Sequence, residues 1–308
     1  MSSTNLTETP ALIEQHIHGG FGIDFANTDT DGFIEFAKKI TKHGVCAFYP
    51  TLATDTVDNL KRQISRIKEA IYSQPQGSAK ILGVNLESCF INPEKKGIHD
   101  ESQLLKPTVS NYKLLEDEII KIVTVAPELD EGYELCSYLE LKGVKVSAGH
   151  CLATDLSAVS QVTHLYNAMG EFSHRVPSTT VSALHDDRIT VELIADFMHV
   201  RKDVLDLTFR IKPNDKIILI SDALPIAHSA PDSMTFCNRT VYIKDGKATD
   251  ANGTLAGSIM FLDEIIKQLV QNNILDFPTA VKMASTNIMQ TNAKAYWDED
   301  LNISHIEF

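Results

Sequence analysis

Eight short runs of apolar, largely β-branched residues alternate along the chain with stretches of helical periodicity, and that alternation limits what it can fold into. The runs lie at 12–18, 45–51, 81–87, 122–127, 144–150, 162–166, 189–195 and 216–222. Several are apolar at almost every position, as parallel strands buried on both faces are. Between them, Phe33, Phe36, Ala37 and Ile40 follow i, i+3, i+4, i+7 spacing, and Leu60, Ile64, Ile67 and Ile71 repeat it behind Thr56, an expected N-cap. Leu135 and Leu139 mark another helix that ends near Gly143, and two late helices are expected near 258–271 and 278–289. Eight such units predict an α/β chain closed into a (β/α)8 TIM barrel. An open doubly wound sheet is the alternative, but no Gly-rich dinucleotide turn follows the first strand. Residues 233–250 break the rhythm and read as a β-hairpin turning at Asp245-Gly246, inserted after the eighth strand. The expected organisation is one barrel domain over 1–308, with residues 1–11 a polar N-terminal tail.

The 308 residues are 43% hydrophobic and 22% charged, the balance of a globular enzyme rather than a disordered chain. A formal net charge of −13 repels phosphate backbones and anionic lipid, so neither nucleic acid nor membrane is an expected partner. A small anionic substrate is still compatible, because a few local cations suffice to bind it. No apolar run approaches the roughly 18 residues of a membrane span, and the N-terminus has no signal-like apolar segment. The five cysteines, Cys46, Cys89, Cys136, Cys151 and Cys237, show no paired spacing, which points to a reducing, cytoplasmic compartment.

What ends each run is informative. The first ends in His16-Ile17-His18, the third in Glu87, the fifth in His150 and the eighth in Asp222, while His164 lies in the sixth. Residues i and i+2 of a strand face the same way, so His16 and His18 are expected to look together into the barrel mouth. A lone HxH is weak evidence, and a single buried His is usually a hydrogen-bonded core residue. Glu87 after ILGVNL and Asp222 after IILIS are harder to dismiss, because an unpaired carboxylate there costs several kcal/mol, of the order of ~2–7 for a buried polar group. Imidazoles and carboxylates together suit a borderline-hard divalent ion, and active sites of this fold sit at the carboxyl ends of the strands.

These residues lie within PALIEQHIHGGFGIDF (10–25), NLESCFINPEKKGIHD (85–100), VTVAPE (123–128), VSAGHCLAT (146–154), THLYNAM (163–169), ELIADFMHV (192–200), ILISDA (218–223) and NGTLAGS (252–258). In this order, over nearly the whole chain, the segments resemble the N-acetylglucosamine-6-phosphate deacetylase family of the amidohydrolase superfamily. The resemblance implies Glu87, His150 and His164 as ligands of one metal, and His16 and His18 as a second metal position that some members lack. It therefore implies one or two divalent ions, Zn or Fe first, with Mn, Co or Ni as alternatives. Asp222 matches the catalytic aspartate, and His99 is expected to help hold the oxyanion. Asn167, Ala168, Arg175, His199, Leu255, Ala256 and Gly257 match substrate contacts. The implied reaction is hydrolysis of an acetamido group on a phosphorylated amino sugar. The arginine is expected to serve the neighbouring subunit's phosphate, which implies a homodimer.

The sequence departs from the family at Ser88, Cys89, Phe197, Ser178 and His228, expected in or near the pocket, and the small β-sandwich domain built from both chain ends is expected to be absent or vestigial. Cys89 and Cys151 border predicted ligands and are read as packing residues rather than metal thiolates. A deacylase of another N-acyl amine or amino-sugar phosphate, and a non-catalytic sugar-phosphate-binding barrel, are the alternatives.

Overall fold

Eight parallel strands lie side by side in chain order: β1 (Leu12–Ile17), β2 (Val45–Leu52), β3 (Val84–Leu86), β4 (Ile120–Val125), β5 (Lys145–Ala148), β6 (Gln161–Val162), β7 (Thr190–Ile194) and β8 (Ile217–Ile220). The computed structural model describes residues 6–308, so the first five residues of the expected tail lie outside the described residues. The sheet closes just beyond β8, where the Asp222 N–H donates to the His16 carbonyl and the His18 N–H to the Ala223 carbonyl, both at 2.9 Å. The TIM barrel is thus formed, with helices outside it. Thr56 caps the helix Val57–Ser73 by accepting the Asn59 N–H, and that helix buries Leu60, Ile64 and Ile67 against the barrel.

Most strands are shorter than their apolar runs. The third run is divided at Gly83 (φ +137), where a Cβ would meet the Ile119 carbonyl oxygen at 2.4 Å. The sixth stops at Val162 because the chain turns at His164 (φ 29) and Tyr166 (φ 80), a conformation that no apolar pattern signals. No helix forms between β5 and β6, so the eight units are not uniform.

Two regions differ from expectation. Part of the expected polar tail is a strand: Thr7–Pro10 pairs antiparallel with Lys294–Trp297, which pairs with Ile303–Glu307. Trp297 is fully buried and donates its indole N–H to Thr9 Oγ1 at 2.8 Å. This polar strand is stabilised by a partner at the other end of the chain, which local composition cannot reveal. The insertion after β8 is larger than a hairpin. Arg239–Lys244 and Lys247–Asp250 do turn at Asp245-Gly246, both with positive φ, but Ser233–Phe236 and Leu255–Gly257 extend the pair to four antiparallel strands.

Candidate active site

The ends of five strands bring their polar residues to one buried point. Glu87 follows β3 directly, His150 and His164 stand two residues beyond β5 and β6, and Asp222 stands two beyond β8. His16 is the penultimate residue of β1 and His18 follows the strand directly. Glu87 is the hub, and its two oxygens divide the imidazoles into pairs. Oε2 lies 3.3 Å from His16 Nε2 and 3.2 Å from His18 Nε2, whereas Oε1 lies 3.1 Å from His150 Nε2 and 2.7 Å from His164 Nε2. Asp222 Oδ1 completes the first pair, 3.2 Å from His18 Nε2 and 3.5 Å from His16 Nε2.

The outward ring nitrogens decide what the inward ones offer. His150 Nδ1 is 2.7 Å from the Lys95 carbonyl, which only accepts, so Nδ1 carries the proton and Nε2 of the neutral ring is bare. That bare nitrogen nonetheless faces Glu87 Oε1 and, at 3.1 Å, His164 Nε2. His16 repeats the arrangement, with Nδ1 against Glu192 Oε2 at 3.1 Å and Nε2 facing Glu87 and Asp222. Acceptors aimed at acceptors are satisfied by positive charge between them, either protons on the rings or a metal ion. The two groups, His16–His18–Glu87–Asp222 and Glu87–His150–His164, each keep their ligand atoms within 4.8 Å of one another, so the donor set suggests a divalent metal ion.

The electrostatics agree. Burial disfavours charge on His18, but Asp222 and Glu87 push its pKa up to about 9. Burial also works against His16, whose pKa Glu87 and Glu192 nevertheless raise well above the ordinary range. Burial would raise the Asp222 carboxyl, yet the hydrogen bond from His18 holds it below its usual value. Asp222 has a left-handed backbone (φ 51), as do His150, His164 and Ala168; non-glycine residues held this way cluster where function over-determines the geometry.

A cavity of about 320 Å³ opens above this cluster. Of the predicted site residues, His18, Glu87, His99, His150, His164, Asn167, Ala168, His199, Asp222, Leu255, Ala256 and Gly257 line it, with His16 buried beneath. Arg175 does not; it is exposed and donates to His174 Nε2. His99 is buried beside His150, which pushes its pKa down to about 3 and keeps it neutral. Its Nδ1 accepts the Thr54 N–H at 3.3 Å, so the proton lies on Nε2, on the Glu87 side of the ring. His199 Nδ1 is gripped by Asp196 at 2.8 Å, which leaves Nε2 for the cavity.

The five departures do not line the cavity. Ser88 and Cys89 are buried, with the Cys89 thiol pushed up to about 12 by burial; Cys151 behaves alike. Ser178 caps the helix Thr179–His185, Phe197 packs outside, and His228 pairs with Glu264. Ser88 and Cys89 follow Glu87 in the chain, but successive residues at a strand end point different ways.

Sequence reading missed Glu192, Gln15, Gln161 and Thr54. Glu192 Oε1 accepts from Gln15 Nε2 at 2.6 Å and Gln161 Nε2 at 3.0 Å while its other oxygen holds His16. The available signal was a carboxyl in the middle of the apolar run TVELI. Lys95 and Phe236 also line the cavity without having been singled out.

No family model matches the chain. The N-acetylglucosamine-6-phosphate deacetylase of Lysinibacillus sphaericus is 31% identical over 295 residues, covering 91% of this chain and 75% of that protein. The human N-acetylglucosamine-6-phosphate deacetylase is 32% identical over 307 residues, covering 91% of this chain and 73% of its own. Among solved structures, the Mycobacterium smegmatis N-acetyl-D-glucosamine-6-phosphate deacetylase in complex with N-acetyl-D-glucosamine-6-phosphate superposes with a TM-score of 0.91 at 23% identity, over 98% of this chain and 85% of that one.

Proposed function

The chain belongs to the N-acetylglucosamine-6-phosphate deacetylase family, and from that premise we propose that it hydrolyses the acetamido group of N-acetylglucosamine 6-phosphate, giving glucosamine 6-phosphate and acetate. The observation that carries this reading is the division of Glu87 between two pairs of imidazoles, with Asp222 beside one pair at the floor of the cavity. His16 and His18 would hold one divalent ion and His150 and His164 another, with Glu87 available to both. Nitrogen and carboxylate donors favour Zn or Fe over a hard alkaline-earth ion.

When bound, such an ion supplies Lewis acidity, acidifying water and polarising a carbonyl. Asp222, held ionised, accepts the proton of the attacking water and returns it to the leaving amine. His99, neutral and protonated on Nε2, donates to the oxygen on which negative charge develops, a contribution of about 3 kcal/mol for a well-placed donor. His199, Asn167 and the backbone of Ala168 and Leu255–Gly257 orient the sugar from the cavity wall.

The phosphate partner is proposed to be Arg175 of a second subunit. Arg175 stands in an exposed segment beside Phe172 and Val176, 61% and 64% exposed, an apolar flank suited to burial in a homodimer. The five unpaired cysteines support a reducing, cytoplasmic setting. No helix among the described residues is long and apolar enough to cross a membrane.

Acetate release from N-acetylglucosamine 6-phosphate by the metal-loaded protein tests the reaction, with Asp222→Asn as control. The variant should keep its metal and lose about 10²–10⁴-fold in kcat. No turnover of this substrate alongside turnover of another N-acyl amine would reassign the substrate, and turnover unchanged in Asp222→Asn would remove the mechanism.

A further inference from the structure

A second group of metal-type side chains lies outside the barrel mouth, and the proposed reaction does not use it. His43, His228 and Glu264 each place a ligand atom within 4.8 Å of the others. His43 ends the turn Ile40–His43 just before β2, His228 lies in the connection after β8, and Glu264 stands in the first turn of the helix Leu262–Gln271. These are parts of the first and last barrel units, on either side of the seam where the sheet closes.

The imidazoles are fixed in place by aromatic and carboxylate neighbours. His228 stacks on Phe261 at 4.7 Å and 18°, and His43 packs edge-on against both Phe261 and His228 at 4.7 Å. Both carboxyl oxygens of Asp263 lie 3.1 Å from His43 Nδ1, which places the proton there and leaves Nε2 with its lone pair. Glu264 Oε2 is held by the Phe261 N–H at 2.8 Å and faces His228 Nε2 at 2.9 Å. His228 adopts a left-handed backbone (φ 52), which a residue other than glycine rarely takes without a compensating constraint. The side chains of His228 and Glu264 remain 33% and 36% exposed, so the group is open to ions from solvent.

We propose that His43, His228 and Glu264 form a separate site for a divalent transition ion, with Asp263 orienting His43. Two imidazoles and one carboxylate with an open fourth corner match the ligand chemistry and tetrahedral preference of Zn²⁺. The ion clips the first unit to the last across the barrel seam. Because its ligands are distant in sequence, it restrains the unfolded chain more than a local tie would.

The test counts Zn²⁺ per chain after equilibration with excess metal and gel filtration, for the wild type, His228→Gly and Glu264→Gln. Glycine suits the backbone at 228, and glutamine can still accept the Phe261 N–H, so both variants keep the local fold; circular dichroism checks this. The wild type should retain one Zn²⁺ more than either variant, and Zn²⁺ should raise its Tm further, while both variants keep the wild-type activity. The ions at the barrel mouth are common to all three proteins, so the difference isolates the clip whatever reaction the mouth performs. Equal Zn²⁺ counts in folded wild type and variants would reduce the group to an ion pair and overturn the proposal.

Discussion

Glu192 shows how one side chain can govern a site it does not line. Its carboxyl group is fully occupied, one oxygen by Gln15 and Gln161 and the other by His16 Nδ1, so the His16 ring cannot rotate or change tautomer without breaking that set. Replacing Glu192 with alanine should weaken the ion shared by His16 and His18 about 10–100-fold, as loss of a ligand-orienting partner typically does. Competition against a chelating dye measures this without reference to turnover; unchanged affinity would make Glu192 a packing residue only. His18 yields a second expectation. Its pKa of about 9 in the metal-free site means that it is protonated at neutral pH, whereas a metal ligand must be the neutral imidazole. Metal binding at pH 7 should therefore release protons, and apparent affinity should rise with pH until about 9. Calorimetry in two buffers of different ionisation enthalpy reads the proton count directly.

The strands deliver this cluster to one point, and β3 depends on one backbone feature to do so. Gly83 (φ +137) lets the chain pass the Ile119 carbonyl and start Val84–Leu86 in the register that delivers Glu87. Gly83→Ala adds a methyl where only 2.4 Å is free and should destabilise the protein by more than about 1 kcal/mol. Denaturant midpoints check the loss, and a fall in metal occupancy at midpoint-matched conditions would show that it reaches Glu87. Elements with strong local signals were legible in the sequence: the helix behind Thr56, the apolar run of β8, and the Asp245-Gly246 turn. Thr7–Pro10 was not, because its pairing with Lys294–Trp297 spans almost the whole chain. The early stop of β6 was not either, because it follows from left-handed backbone at His164 and Tyr166 rather than from composition.

At the scale of the molecule, the cavity has no arginine in its lining, although the proposed substrate carries a phosphate. Arg175→Ala should raise KM for the phosphorylated substrate about tenfold or more, the value of a lost charge-assisted pair, with kcat little changed. Light scattering should give twice the chain mass; a monomer with phosphate-dependent KM intact in Arg175→Ala would remove the shared-site proposal. From the sequence alone came the barrel and the choice of His16, His18, Glu87, His150, His164 and Asp222 as candidate site residues, because strand burial writes itself as apolar runs and an acid or imidazole closing such a run stands out. Only the tertiary structure decided that Glu87 faces His16 and His18 with one oxygen and His150 and His164 with the other. It alone placed Glu192 behind His16, kept Ser88, Cys89 and His228 out of the cavity wall, and joined the chain ends in one sheet. Those outcomes depend on the direction of each side chain and on contacts between residues far apart in sequence, which no local pattern encodes.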